Sequence, residues 1–354
     1  MEKIAFLIPT LRGGGAERVV SRLSMHLCQS VPTVVITWDS ACRAYEFGGQ
    51  VVDACLPAEK SLIAKFVRQH QRKRKIAELC AQLNVTRVIS FMESASIPLL
   101  RAKELLGTNI HISVAMRIAP SFFGPLQRWQ IQQLYPLADL IIVQTDAGRS
   151  ELVNNWGFSA ARCRVIPNPL DVDFLAPPPS HSTRIPGLVV AVGRLAPQKR
   201  FGDLISAFSR LPRHLATQLV IVGSGSELSA LSKCAQVNQV QDRVCFLGET
   251  ADVMHWLDRC SLFVLSSAFE GFPNALAEAM ARGCAVVSTN CETGPSEMIE
   301  HNASGLLVPV GEIGTLASAM FRVLDSQVLA LQLGAAARQR AEGWSLEKIA
   351  PMWI

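Results

Sequence analysis

The chain of 354 residues is 49% hydrophobic and 18% charged, with a net charge of +5. This composition excludes an intrinsically disordered chain, and the length suffices for two domains that each bury a core. No apolar run approaches the roughly 18–20 residues that a membrane-spanning helix requires, and Ile4–Ile8 is too short for the core of a signal peptide. We therefore expect a globular protein of the cytoplasm.

Charge is shared unevenly along the chain. The first 168 residues carry 20 Lys/Arg and 12 Asp/Glu, a net charge of +8, whereas the remainder carries 14 and 17, a net charge of −3. The N-terminal half is therefore the part expected to contact an anionic partner. The ten cysteines form no C-x-x-C pair and no cluster at zinc spacing, so we expect free thiols and no structural zinc.

Short apolar runs alternate with amphipathic helical stretches, the pattern of parallel sheets covered by helices on both faces. We predict two doubly wound, Rossmann-like domains facing a central cleft, residues 1–168 and 188–343. The proline-rich residues 169–187 are interpreted as a linker, and residues 344–354 as a C-terminal helix. The predicted strands are Ile4–Ile8, Thr33–Thr37, Arg87–Phe91, His111–Val114, Leu140–Gln144, Arg164–Ile166, Leu188–Val192, Gln218–Val222, Arg243–Phe246, Leu262–Leu265, Ala285–Ser288 and Gly305–Val308.

Three glycine-containing loops follow predicted strands. Gly13–Gly15 precedes a helix, where glycines let the backbone approach a ligand and present N–H groups to phosphate, although a flexible turn explains them equally well. Gly193-Arg194 and Lys199 place two cations in a strand-to-helix loop, where they either flank a diphosphate or are simply solvated. Gly223 and Gly225 either line a nucleotide base or make a structural turn.

No metal site is predicted. Asp171 and Asp173 have the spacing of a metal-binding carboxylate pair, but they directly precede the proline-rich segment. With two cations and several helix ends available to hold an anion, no divalent ion and no cofactor is expected.

The stretch Leu262–Thr289 predicts strand, loop, helix, turn and strand. Pro273 suits the first helical position of a helix at Ala275–Arg282, and Gly283 suits its end. Glu270 lies in the loop and Glu278 on the helix, so the two carboxylates reach different hydroxyl groups of one extended ligand. The alternative is a pair of solvated acids beside an ordinary helix cap.

Residues 270–281, EGFPNALAEAMA, resemble the Glu-x7-Glu motif of the retaining family 4 glycosyltransferases, which have the GT-B fold. Three further segments agree in order, Gly13–Arg18, Val192–Arg200 and Thr293–Val308. The similarity extends over nearly the whole chain and is strongest in its second half.

The resemblance implies a nucleotide-sugar donor and transfer with retention of anomeric configuration. It also implies that the C-terminal helix at residues 344–354 crosses back onto the first domain. It implies that Arg194 and Lys199 stabilise the departing diphosphate, that Glu270 binds hydroxyl groups of the donor sugar, and that Glu278 binds the ribose. Many relatives carry His or Glu near the reacting centre where this chain has Met116, so no general base is assigned. The other donor-binding residues implied are Gly14, Gly15, Gly193, Gly223, Gly225, Gly271, Phe272, Pro273, Asn274 and Ala275.

Residues 60–83 predict a basic helix with an apolar stripe. Such a helix fits an anionic membrane surface, and a solvated helix packed on its domain is the alternative. Nucleic acid is not expected, because no recognition-module pattern is present. We interpret Phe122, Phe123 and Trp129 as core residues rather than lipid contacts. The cations are Lys60, Lys65, Arg68, Arg72, Lys73, Arg74 and Lys75, and the stripe is Leu62, Phe66, Ile76 and Leu83.

The predicted function is transfer of a hexose or N-acetylhexosamine, with a UDP-sugar favoured, to a polyprenyl-diphosphate-linked saccharide in bacterial surface polysaccharide or glycan synthesis. The enzyme is expected to be peripheral on the inner face of the cell membrane, with Arg68, Arg72–Lys75 and Arg117 contacting the acceptor or the membrane. The alternatives are a non-catalytic nucleotide-sugar-binding subunit and a GT-B epimerase or phosphorylase.

Overall fold

The computed structural model of the chain describes residues 2–59, 61–118, 120–178, 180, 183–250 and 252–354. Lys60 of the predicted basic helix lies outside the described residues, as do the side chains of Leu62, Lys65 and Phe66. The chain forms two compact units. The first comprises Met1–Pro169 together with Leu346–Ile354, and the second comprises Leu170–Ser345.

The first unit contains a seven-stranded parallel sheet in the order β3-β2-β1-β4-β5-β6-β7. Its strands carry apolar side chains on both faces because helices cover both, so Ile4–Ile8 is completely buried. The sheet includes one strand that we did not predict, at the edge. The strands are β1 Ile4–Leu11, β2 Thr33–Arg43, β3 Gln50–Asp53, β4 Arg87–Phe91, β5 His111–Ala115, β6 Leu140–Val143 and β7 Cys163–Val165.

Helices of the first unit pack an apolar stripe on this sheet. In the first of them Val19, Val20, Leu23 and Leu27 recur at helical spacing and are buried. The helices are α1 Gly15–Leu27, α2 Leu62–Gln82, α3 Glu93–Arg101, α4 Lys103–Leu106, α5 Pro125–Leu134 and α6 Asp146–Ser150.

The second unit contains a six-stranded parallel sheet in the order β10-β9-β8-β11-β12-β13. Its strands are β8 Leu188–Val192, β9 Gln218–Val222, β10 Val244–Gly248, β11 Leu262–Leu265, β12 Val286–Thr289 and β13 Leu306–Val308. Its helices are α7 Val172–Leu175, α8 Phe201–Phe208, α9 Leu228–Val237, α10 Val253–Arg259, α11 Asn274–Ala281, α12 Pro295–Met298, α13 Ile313–Leu324 and α14 Gln327–Ala341. All twelve predicted strands coincide with observed ones, and every pairing is parallel, as predicted.

Each sheet reverses its strand order at one place. In the first sheet the order turns between β1 and β4, and in the second between β8 and β11. Loops on the two sides of such a switch point diverge to opposite faces and leave a crevice at the carboxyl ends of the strands, where ligands of doubly wound folds bind. Ligand-binding sites are therefore expected in the loops after these four strands.

The proline-rich segment is not a free linker. Leu170 and Phe174 are buried in the second unit, and Arg282 and Arg338 donate hydrogen bonds of 2.9 Å to the carbonyls of Ala176 and Leu175. Backbone carbonyls freed by prolines are thus satisfied by fixed arginines, which hold the segment in place. Residues 179, 181 and 182 of the segment lie outside the described residues.

The C-terminal segment is divided between the units. Trp344 packs edge-on against Phe272 of the second unit, with ring centroids 5.3 Å apart, so the boundary falls after Ser345 and not before Trp344. The following residues form two short pieces, α15 Leu346–Ile349 and a 3₁₀ turn at Ala350–Trp353, instead of one continuous helix. Pro351 ends the α-helical hydrogen bonding, because it has no N–H to donate.

Candidate active site

The centre of the second unit's switch point is an ion pair. Lys199 follows β8 on a 3₁₀ turn at Pro197–Lys199, and Glu270 follows β11. The Nζ atom of Lys199 lies 2.5 Å from Oε1 of Glu270, and the two side chains are only 16% and 8% exposed. A buried ion pair contributes little net stability, because desolvation offsets the attraction. Its effect here is to hold the lysine and the glutamate at fixed positions beside the crevice.

Hydrogen bonds between the two loops fix this pair. Ser267 Oγ donates to Glu270 Oε1 at 2.6 Å, and Ser266 Oγ donates to the carbonyl of Lys199 at 2.8 Å. Gln198 donates its side-chain amide to the carbonyl of Phe269 at 2.8 Å. The loops after β8 and β11 are therefore one preorganised structure.

The second predicted cation, Arg194, lies in the same loop but is exposed. Within the described residues it makes no ion pair, in contrast to Lys199. The glycines nearby have a packing reason. A Cβ on Gly223 would lie 2.0 Å from the carbonyl oxygen of Gly193, and one on Gly225 would lie 2.2 Å from that of Leu195. Close packing of the loops after β8 and β9 thus requires glycine, which supports the structural-turn alternative for Gly223 and Gly225 and leaves ligand contact a prediction.

The helix after Glu270 begins at Asn274, with Pro273 as its N-cap and not as its first helical residue. Gly283 ends it in the left-handed region at φ +66°, as predicted. Glu278 is completely buried on this helix, so the alternative of a solvated surface acid is wrong for it and for Glu270, which is 7% exposed. Glu270 already has Lys199 and Ser267 as partners, so its burial does not itself indicate a ligand, and ligand contact by Glu270 and Glu278 stays a prediction.

Residues 271–275 offer a ligand their backbone groups rather than their side chains. Gly271 packs closely on Gly294, where a Cβ would lie 2.3 Å from the Gly271 carbonyl oxygen. The side chain of Phe272 is buried in the core against Trp344. Any ligand contact made by Gly271, Phe272, Pro273, Asn274 and Ala275 would therefore use the backbone groups at the N-terminus of α11.

In the first unit, Gly14 and Gly15 form the N-terminal end of α1. A Cβ on Gly14 would lie 2.3 Å from Oε2 of Glu17, whose other carboxylate oxygen accepts a hydrogen bond from Thr10 at 3.1 Å. Met116, at the end of β5, is 1% exposed within the core, so it offers no group to the site.

Two family models match the chain, Glycosyl transferases group 1 over residues 182–340 and Glycosyltransferase Family 4 over residues 13–174. The chain belongs to this glycosyltransferase family. It is therefore a transferase, as predicted, and the non-catalytic alternative is set aside.

Relatives of similar length support this assignment. The N-acetylgalactosamine-N,N'-diacetylbacillosaminyl-diphospho-undecaprenol 4-alpha-N-acetylgalactosaminyltransferase of Campylobacter jejuni is 28% identical over 99% of this chain and 98% of its own. A second C. jejuni protein, a GalNAc-GalNAc-diNAcBac-PP-undecaprenol alpha-1,4-N-acetyl-D-galactosaminyltransferase, is 24% identical over 100% and 98%. The structure of Anabaena HepE in complex with UDP is 19% identical, covers 99% of this chain and 98% of its own, and has a TM-score of 0.83. These similarities show the GT-B fold.

One basic residue of α2 in the transferase does not have its predicted role. Arg72 is 8% exposed, donates two hydrogen bonds of 3.1 and 2.7 Å to the carbonyl of Leu56, and lies 4.9 Å from the ring centroid of Trp38. Burial, with the nearby Arg68, lowers the pKa of the Arg72 guanidinium to about 10. Arg72 therefore packs the helix on its unit and does not face a membrane or an acceptor.

The other cations of α2 are more accessible. Arg68 forms an ion pair with Glu59, and Lys75 forms one with Glu78 at 3.1 Å. Arg74 is exposed and Lys73 half-buried, and neither forms an ion pair within the part of the chain that the structure describes. Among the cations of α2 whose side chains the structure describes, Lys73 and Arg74 are thus available to a partner.

The aromatic residues near α5 are not all in the core. Phe123 packs against the core, but Trp129 is 58% exposed, Leu126 71% and Phe122 38%. Phe122 lies in a 3₁₀ turn at Pro120–Phe122 before α5, whereas Leu126 and Trp129 are three residues apart on α5 and so share one side of it. Our interpretation of Phe122 and Trp129 as core residues was wrong, because the sequence does not show whether another element covers their side chains.

No described helix is long and apolar enough to cross a membrane. Asp171 is the N-cap of α7, and Asp173 lies in its first turn. In the described residues no three His, Cys, Asp or Glu side chains are grouped closely enough to hold a metal ion.

Proposed function

We propose that the transferase moves a hexose or N-acetylhexosamine, with retention of configuration, from a UDP-sugar to a polyprenyl-diphosphate-linked saccharide, for bacterial surface polysaccharide or glycan synthesis. The observation that carries this proposal is the buried Lys199–Glu270 pair beside the N-terminus of α11, with the buried Glu278 on that helix.

The pair has the chemistry that a nucleotide sugar requires. A diphosphate arriving beside Lys199 brings a second anion to this cation, so it competes with Glu270 for Lys199. Glu270, released in part, then accepts hydrogen bonds from hydroxyl groups of the donor sugar. Glu278 accepts bonds from the ribose, and the donors of the α11 N-terminus hold the region between the two carboxylates.

The reaction breaks the bond between the anomeric carbon and the phosphate oxygen and forms one from that carbon to an acceptor oxygen on the same face. The acceptor proton passes to the departing phosphate, so UDP leaves and no protein base is needed. Negative charge grows on the phosphate in the transition state, and we assign its stabilisation to Lys199 and Arg194. No metal ion takes part in this scheme.

The acceptor is inferred from the relatives and from charge. Both C. jejuni relatives are named for transfer to undecaprenyl-diphosphate saccharides. The N-terminal half of the transferase carries a net charge of +8, with Lys73 and Arg74 available on α2. A cationic surface attracts both a diphosphate and anionic lipid headgroups.

Peripheral binding to the inner face of the cell membrane is inferred from exposed apolar surface on the same unit. Leu126 and Trp129 expose apolar surface on α5, and the exposed Arg128 lies between them in sequence. Apolar side chains flanked by a cation are typical of helices that lie in a membrane interface. This surface would keep the transferase where its lipid-linked acceptor is found.

The test is UDP or GDP release measured with UDP-GalNAc, UDP-Gal, UDP-GlcNAc, UDP-Glc and GDP-Man, each in EDTA. Each donor is offered with and without N-acetylgalactosamine-N,N'-diacetylbacillosaminyl-diphospho-undecaprenol and with a polyprenyl-diphosphate saccharide extract. We expect release from one UDP-sugar that depends on a lipid-linked acceptor. Conversion of UDP-GlcNAc without acceptor would instead indicate an epimerase, and release that requires free phosphate and a glucan would indicate a phosphorylase.

A further inference from the structure

A second group of buried polar side chains lies at the switch point of the first unit. Glu93 follows β4, directly across the β1/β4 switch point from the glycine loop after β1. The residue is only 8% exposed, and within the described residues its Oε1 atom is buried without a hydrogen-bond partner. A buried carboxylate oxygen that accepts no hydrogen bond is costly, so the fold does not account for this side chain.

Arg117 completes the group. It follows β5, and its guanidinium carbon lies 5.7 Å from the ring centroid of Phe91. Its pKa is lowered to about 10 by burial, against the attraction of Glu17 and Glu93, which places the guanidinium near both carboxylates. Its Nη1 atom is also buried without a hydrogen-bond partner in the described part of the chain.

The group therefore has one carboxylate oxygen that can accept and one guanidinium N–H that can donate. Glu17 and Glu93 both act on this one guanidinium, so it attracts an added anion less strongly than a free guanidinium would. A hydroxyl group of an uncharged sugar fits both, because it donates to a carboxylate and accepts from a guanidinium at once.

The backbone before Glu93 is strained. Met92 has φ +69° and ψ 148°, a backbone conformation that residues other than glycine rarely adopt. Such strain persists only where the surrounding structure enforces it, and it is typical of functional sites. Here it fixes the start of α3 and with it the position of Glu93.

We propose that Glu93 and Arg117 form a subsite that binds a hydroxyl group of the acceptor saccharide. This inference rests on the proposed function and names the residues that select the acceptor. Arg117 was predicted to contact the acceptor or the membrane, whereas Glu93 was not predicted at all.

The protonation of Glu93 offers a second readout. Burial raises the pKa of Glu93 to about 7, against the attraction of Arg117 from the loop after β5. The buried hydroxyl of Tyr135 also faces Glu93, and its pKa is raised by burial and by this carboxylate. Glu17 of α1 acts on Arg117. A Glu93 that accepts the acceptor hydroxyl should therefore impose a titration near neutral pH on kcat/KM for the acceptor.

The experiment compares wild type with Glu93→Gln and Glu104→Gln. Glu104 is exposed on α4 of the same unit and serves as the matched control. UDP affinity is measured by calorimetry, and acceptor-dependent UDP release is measured with N-acetylgalactosamine-N,N'-diacetylbacillosaminyl-diphospho-undecaprenol. We expect Glu93→Gln to raise the acceptor KM about tenfold or more and to lose the titration, because a charged hydrogen bond is removed. UDP affinity should stay within about twofold of wild type, and Glu104→Gln should match wild type throughout.

An acceptor KM and pH profile in Glu93→Gln equal to those of wild type would overturn the subsite. If wild type itself releases no UDP with this acceptor or with the polyprenyl-diphosphate saccharide extract, the acceptor class named in the proposed function is wrong. The subsite is then tested by saturation-transfer NMR with methyl glycosides of GalNAc, GlcNAc, Gal and Glc. A signal in wild type that Glu93→Gln loses would support it, and equal signals, or none in either protein, would overturn it.

Discussion

Lys199 is the residue on which catalysis should depend most. Its ammonium group is held 2.5 Å from Glu270, and in the proposed reaction it stabilises the leaving diphosphate. We expect Lys199→Ala to lower kcat/KM by about 10²–10³-fold, corresponding to about 3–4 kcal/mol of transition-state stabilisation. The exposed Lys233 of α9 is the matched control, and Lys233→Ala should retain full activity.

Loss of stability must be separated from loss of catalysis in this variant. Lys199→Ala leaves the buried Glu270 without its cation, which costs about 3–5 kcal/mol in other buried pairs. The double variant Lys199→Ala/Glu270→Gln removes both charges, so its thermal unfolding should return toward wild type while activity stays low. A stable double variant with normal UDP release would refute the assignment of Lys199 to the diphosphate.

Glu93 should make the stability of the protein depend on pH. Its pKa rises from 4.5 to about 7 in the folded protein, so the folded state holds this proton more tightly than the unfolded state. The resulting stabilisation is complete below about pH 4.5 and is lost as the pH rises through 7, in total about 3 kcal/mol. Glu93→Gln has no such proton. Its melting temperature should fall less than that of wild type between about pH 5 and pH 8, and parallel curves would contradict the shifted pKa.

The helix α2 combines a packing residue with accessible cations. We expect Arg72→Gln to lower the free energy of unfolding by about 1–3 kcal/mol, because its charged hydrogen bonds to Leu56 and its contact with Trp38 are lost. Arg74→Gln, on the exposed side of the same helix, should change it by less than about 0.5 kcal/mol. Urea unfolding of the two variants measures this difference, and equal effects would contradict the burial of Arg72.

Membrane binding should depend on α5 and on the accessible cations of α2. Each cation near an anionic surface is worth about 1 kcal/mol, so Lys73→Gln/Arg74→Gln should weaken binding to phosphatidylglycerol vesicles about tenfold or more. Leu126→Ser/Trp129→Ser should weaken binding also at high salt, where charge is screened but apolar burial persists. Co-sedimentation with vesicles measures both, and binding unchanged in both variants would exclude these surfaces as membrane contacts.

Elements with a strong local signal were predictable from the sequence, and features that depend on neighbours were not. Buried strands such as β1 contain a continuous apolar run, Ile4–Ile8, whereas the edge strand Gln50–Asp53 has only two apolar residues and is half-exposed. The sequence identified α2 as a basic helix with an apolar stripe, but it could not show that the side chain of Arg72 faces Trp38. The family motif identified Glu270 and Lys199, yet nothing local marks Glu93, because its burial and the strain at Met92 arise only from the folded sheet.

The chain begins and ends in the same unit. Residues 346–354 belong with the first 169 residues, so the second unit is inserted, in terms of sequence, between the body of the first and its last nine residues. A cut after Pro169 would therefore remove part of the first unit's core. This connection makes the C-terminus a structural part of the unit that we propose binds the acceptor.

Trp353 should carry most of this contribution. It is 2% exposed, its ring stacks on Phe91 with centroids 5.2 Å apart, and it lies in one cluster with Ile4 and Phe6. We expect Trp353→Ala to destabilise the first unit by about 3–5 kcal/mol, as in other large-to-small core substitutions. Met352→Ala, one residue earlier but 37% exposed, is the matched control and should have little effect. Differential scanning calorimetry with and without UDP distinguishes the units, since UDP should raise only the transition of the unit that binds it. We expect Trp353→Ala to lower the midpoint of the unfolding transition that UDP does not raise. If it instead lowers the transition that UDP stabilises, the C-terminal residues support the donor site.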